Sequence, residues 1–248
     1  MKEVFSVVPK SCPSCTSCLN FSAPRGTILA ILNRMDHRMD QLINQLSRLA
    51  NTSQEQALIA AAVKALDDRY GLSRKIEREP GVEEIIKQLF GRLYKAYREL
   101  SRIKGQRILD IACGSNTSKA PSFVFIDTPF GEKKIEIGHV EGYTAQFEPW
   151  FCRILLELDA QPVGVDIGDL EAEAFEHYPV DLGQAAALDF LPERSFDAIQ
   201  DSRLFGSPEF TTQFPDRADR LRIAQEIVRQ EKRLLKEAGI VIHSDAGR

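Results

Sequence analysis

The stretch best suited to chemistry is Arg107-Ile-Leu-Asp-Ile-Ala-Cys-Gly-Ser-Asn116. It reads as an apolar strand that ends in Asp110 and turns at once through small residues. Ala112 and Gly114 carry almost no side chain, so backbone N–H groups in such a turn can approach a ligand closely. Asn116 tolerates left-handed backbone geometry. Two further strand-like runs end in acids, Pro162-Val-Gly-Val-Asp166 and Val180-Asp181-Leu182. A nicotinamide dinucleotide site would need G-x-G-x-x-G, and the matching positions here are Ala112, Gly114 and Thr117, which keep one glycine. Cys113 reads as a small apolar residue of the turn. Separately, Cys12-x-x-Cys15-x-x-Cys18 offers three thiolates at metal-ligand spacing. A structural zinc wants four ligands, so the fourth would come from the fold or from a second chain.

Taken in order, these features resemble the class I, Rossmann-like, S-adenosylmethionine-dependent methyltransferases over about residues 106–245. Asp110 and Gly114 match the family's first motif, while Ala112 and Asn116 stand where glycine is usual. The run Leu191-Pro-Glu-Arg-Ser-Phe-Asp-Ala-Ile199 resembles the family's approach to its fourth strand. The resemblance implies a cofactor turn of Asp110, Ala112, Cys113, Gly114 and Asn116 on the methionine side. It implies that Asp166 accepts hydrogen bonds from the ribose diol, with Ile167 against the adenine. Asp181, with Leu182, would read the adenine; Asp189 is the alternative acid. Gln200, ending the fourth strand, would touch the cofactor, and the stretch after it would face the methyl group. Asp201, His139 and Tyr143 are candidate acceptor-side groups. The Asn-Pro-Pro-Tyr signature of amino-methylating nucleic-acid enzymes is missing.

The elements that must position these residues fall into three stretches. Residues 1–26 form a poorly periodic, Cys-containing leader. Residues 27–105 read as three helices. Ile28, Leu32, Met35, Met39, Leu42, Leu46 and Leu49 give the first a 3.5-residue seam, suited to packing within the chain or to a homodimer. Ser53 with Gln56 suggests a capping box for the second, which Gly71 would close. Val82, Ile85, Ile86, Leu89, Phe90, Leu93, Tyr97 and Leu100 share one face of the third, which Gly105 would end. From residue 106 short apolar runs alternate with helical periods, the pattern of a parallel α/β sheet. Strands are expected at Arg107–Ile111, Pro162–Asp166, Tyr178–Asp181, Phe196–Gln200 and Gly239–His243. Asp110 and Asp166 stand 56 positions apart, too far for one crossover, so residues 118–145 are expected to be an insertion. Phe123-Val-Phe-Ile and Lys134-Ile-Glu-Ile would make it a hairpin, either a substrate lid or peripheral. The family's sheet usually adds two strands after the fifth, whereas this sequence ends just beyond it.

The formal net charge of −4 over 248 residues gives no global pull toward nucleic acid. Arg74–Arg107 nevertheless holds ten Lys or Arg against five Glu. There is no signal-peptide pattern and no apolar run of ~18 residues, so a cytoplasmic protein is expected. The expected function is methyl transfer from S-adenosylmethionine to a small molecule. The alternatives are a non-catalytic interaction module on the same fold, and an RNA methyltransferase using the basic helix 82–104.

Overall fold

The computed structural model describes residues 37–115, 123–128, 131–136, 145–168, 170–201, 210 and 214–242. The leader with Cys12, Cys15 and Cys18 lies outside the described residues, as do Asn116, His139 and Tyr143. Residues from Met35 onward form one compact unit.

Among the described residues the helical stretch holds four helices rather than the three expected. The first, α1, covers residues 37–47 and buries Met39, Leu42 and Leu46 in the core of its own chain. Full burial of each leucine contributes roughly 1.5–3 kcal/mol. This part of the seam therefore packs within the chain, while Leu49 at its end is exposed. Helix α2 (Ser53–Tyr70) is capped by Thr52, not by Ser53; the Thr52 hydroxyl accepts the Glu55 N–H at 3.2 Å. Gly71, left-handed at φ 64°, closes α2 and at once opens α3 (Leu72–Arg78). Because that glycine serves both helices, no N-cap side chain in the sequence marks the start of α3. Helix α4 (Gly81–Tyr97) buries the expected stripe and ends at Arg98, with a 3-10 turn over Leu100–Ile103. Inside this layer the buried Glu55 carboxylate accepts the Tyr94 hydroxyl at 3.0 Å and the Leu100 N–H at 2.7 Å, tying α2 to the end of α4.

Five parallel strands make the sheet: β1 (Arg107–Ile111), β4 (Gln161–Asp166), β5 (Glu176–Pro179), β6 (Phe196–Gln200) and β7 (Leu235–Ile242). Their spatial order is β5-β4-β1-β6-β7. The fold is thus Rossmann-like α/β with an N-terminal helical region. Alternation along β1 divides the core. Ile108 joins Ala198 and Ile242 in the cluster formed with α1, α2, α4 and α5 (Trp150–Glu157). Leu109 and Ile111 join Val163, Val165 and Ile199 against α6 (Arg217–Leu234).

Strand boundaries differ most from expectation at β5 and β7. β5 ends at Pro179, so Asp181 lies beyond it, in a turn where its carboxylate accepts the Gly183 N–H at 2.9 Å. β7 starts at Leu235 and not Gly239; pairing jumps from Phe196↔Leu235 to Ala198↔Ile240, which puts Gly239 in a bulge. The expected hairpin is present. β2 (Phe123–Thr128) and β3 (Gly131–Glu136) pair antiparallel in a sheet of their own, with Phe123 opposite Glu136.

Candidate functional site

Chain direction locates the site. After β1 the chain crosses to β4 and β5 on one side, then returns to β6 on the other. Ligands of open α/β sheets bind beyond the strand C-termini where this reversal occurs, here between β1 and β6. Asp110 and Gln200 are paired residues at that point, and the Gln200 Nε2 donates to Asp110 Oδ1 at 3.3 Å. The Cys152 thiol contacts Asp110 Oδ2 at 3.7 Å. Asp110 is only 3% exposed, and burial pushes its carboxyl up to about 7. The Gln200 and Cys152 contacts pull it down, and the Asp166 charge adds to the rise. The Gln200 Oε1 is buried with no hydrogen-bond partner among the described residues, so it has acceptor capacity to offer a ligand.

The turn after β1 is tight, as its composition suggests. Ala112 sits at φ 58° and Gly114 at φ 95°. A Cβ on Gly114 would lie 2.1 Å from the Phe147 carbonyl oxygen, so no side chain fits there. Asp166, at the end of β4, reaches across: its Oδ2 accepts the Gly114 N–H at 3.0 Å and its Oδ1 the Gly168 N–H at 2.8 Å. Burial raises the Asp166 carboxyl, and these N–H donors work against the rise. Each carboxylate oxygen still has a lone pair for a further donor. Beside it Ile167 is 63% exposed, a large apolar side chain left in solvent at the cleft rim. Asp181 also accepts from the Gln184 side chain at 3.0 Å, and Leu182 is buried in the core. A broad hollow of about 930 Å³ opens from Leu182 along Ala185, Ala186, Arg222 and Arg229.

At the switch point itself is a recess of about 310 Å³. Ile85 and Leu89 of α4 form one wall, and Trp150 and Phe151 of α5 another. Asp110, Ala112, Cys113, Gln146, Glu148 and Gln200 complete it. Glu148, on the recess wall, is held by two cations. Lys75 and Arg153 both bond the Glu148 carboxylate, and Arg153 also holds Glu173 at 2.6 Å. The Arg153 guanidinium lies between the Tyr70 and Trp150 rings, at 4.3 and 4.7 Å from their centroids. Burial pushes the Cys113 thiol up to about 11 and raises Cys152 well above its ordinary value, which disfavours the thiolate at both.

The structure brings together Asp110, Ala112, Cys113 and Gln200, with Gly114 and Asp166 joined to one another beside them. Leu182 borders the second hollow, Asp181 precedes it in the turn after β5, and Asp201 follows β6 directly. The Glu148–Arg153–Glu173–Lys75 group escapes a reading of the sequence: its members look like ordinary surface charges, and Lys75 and Glu148 are 73 positions apart. Among the described residues no cluster of three or more His, Cys, Asp or Glu could hold a metal ion. Of the ten cations in Arg74–Arg107, Lys75, Lys87, Arg102, Lys104 and Arg107 are paired with carboxylates. No helix among the described residues is long and apolar enough to cross a membrane. No protein-family model, curated protein or solved structure matches this chain.

Proposed function

We propose that the chain is a cytoplasmic, S-adenosylmethionine-dependent methyltransferase of the Rossmann-like class that acts on a small molecule. One observation carries this reading: acids from two neighbouring strands flank the turn after β1, with Asp166 bonding the Gly114 N–H and Asp110 paired with Gln200 at the switch point. The residues present fit the cofactor. The recess offers hydrogen-bond acceptors for an ammonium group, namely Asp110 and the unpartnered Gln200 Oε1. Asp166 keeps lone pairs for ribose hydroxyls, and Ile167 offers an apolar surface for a base. When bound, the cofactor supplies an electrophilic methyl group on a sulfonium. The chain's part is alignment and exclusion of water, which suffice for many displacements of this kind. Ile85, Leu89, Trp150 and Phe151 keep the recess apolar around its polar floor. Asp201 is the acceptor-side candidate within the described residues.

One observation favours the interaction-module reading. The Ser115 N–H, a donor of the turn, already bonds the Phe147 carbonyl at 2.9 Å and is closed to a ligand. Calorimetric titration with S-adenosylmethionine and S-adenosylhomocysteine separates the two. Saturable binding of both supports the methyltransferase; a folded protein that binds neither is the interaction module.

A further inference from the structure

Residues 145–149 lead from the insertion into α5, and this strap touches the helical layer on one side and the Gly114 turn on the other. Toward the helices, the Ala145 N–H donates to Glu79 at 3.1 Å, and the Lys75 ammonium donates to both oxygens of Glu148. Gly81 approaches so closely that a Cβ there would lie 2.7 Å from the Gln146 side chain. Toward the turn, the Phe147 carbonyl accepts the Ser115 N–H and fills the space that a Gly114 Cβ would need. The Trp150 indole N–H donates to the Ala145 carbonyl at 2.7 Å, locking the strap to α5.

We propose that Lys75, acting through Glu148, is a positioning residue for the Gly114–Ser115 turn, so that the helical layer sets the turn's geometry. That the positioned turn serves a cofactor rests on the methyltransferase reading; the mechanical link does not. Lys75 does not line the recess, so its effect on a ligand must travel through the strap. Glu148 is 3% exposed, and its second cation partner, Arg153, is shared with Glu173. A buried carboxylate that loses a cation does not stay where it was, because its remaining partner cannot offset the whole desolvation cost. The Phe147 carbonyl is one residue away and moves with it.

The test uses Lys75→Met, which keeps an apolar stem beside the Trp150 ring and removes the charge. In the full chain, hydrogen exchange at the Ser115 amide is expected to quicken about tenfold, with affinity for S-adenosylhomocysteine falling by about as much. The Leu109 amide, in the middle of β1, is expected to keep its rate. Lys75→Arg restores both values. An unchanged Ser115 rate overturns the proposal, and so does an equal quickening at Leu109, which would mean general loosening. Should Lys75→Met fail to fold, Glu79→Ala frees the strap at its other anchor and carries the same expectation at Ser115. If the unaltered protein binds no S-adenosylhomocysteine, the methyltransferase reading falls, and Ser115 exchange still decides the role of the strap.

Discussion

Replacing Asp110 with asparagine should make the protein more stable and, if it is a methyltransferase, less able to hold its cofactor. The Asp110 carboxyl rises from 3.8 to about 7 because burial penalises its charge more than Gln200, Cys152 and the Arg92 charge relieve it. A raised carboxyl binds its proton more tightly in the folded chain than in the unfolded one, so folding stability falls as pH climbs through that interval. Three pH units at ~1.4 kcal/mol each make the cost about 4 kcal/mol above pH 7, vanishing below about pH 4. The substituted carboxamide would keep an oxygen for Gln200 Nε2 and carry no charge. The difference in unfolding free energy between Asp110→Asn and the unaltered protein, from urea titrations at pH 4.5 and 8, should therefore grow with pH in favour of the variant. Subtracting one curve from the other cancels the titrating groups that do not interact with Asp110. A variant less stable at pH 8, or a difference flat in pH, refutes the reasoning: Asp110 would then be charged and satisfied in the fold. In the same variant, affinity for S-adenosylmethionine should drop about tenfold at pH 8, since a cation loses its buried counter-charge.

Other expectations follow from the same geometry. Gly114→Ala forces a Cβ to 2.1 Å from the Phe147 carbonyl at a φ of 95°. It should cost about 1–3 kcal/mol or more in thermal unfolding and remove cofactor binding. Ala112→Gly relieves a left-handed alanine at φ 58° and should raise stability by about 0.5–1 kcal/mol with binding intact. Asp166→Ala should weaken cofactor binding at least about tenfold while near-native circular dichroism persists; unchanged affinity removes Asp166 from the site. Arg153→Met leaves Glu148 and Glu173 buried with Lys75 alone and should cost about 3–5 kcal/mol by denaturant titration.

What the sequence disclosed was local. The strand ending in Asp110, the small-residue turn and the hairpin after it each follow from alternation and turn chemistry within a few residues. Gly71 is legible as a helix end but not as a helix beginning, because one left-handed residue does both jobs. The apolar run of β7 starts only at Gly239, because the residues after Leu235 include the charged Lys236 and Glu237; the sheet pairing alone shows that the strand bulges there. The strap and its charges are invisible for another reason. Lys75, Glu148, Arg153 and Glu173 gain meaning only when four segments meet, and no spacing rule links them. Asp166 is expected as a ligand-holding acid, and the structure adds a contact that no local pattern carries: it already bonds the N–H of the glycine 52 positions earlier.

The pinch between Ser115 and Phe147 has a consequence for how this chain can change. A hydrogen bond of 2.9 Å joins the point where the insertion departs to the point where it returns. The fold therefore sees a closed stem, whatever length of chain is strung between its ends. Doubling a flexible loop costs only about 0.6 kcal/mol in closure entropy. The β2–β3 hairpin is accordingly a place where chain length can change beside the switch point while the five-stranded sheet, separate from it, keeps its pairing.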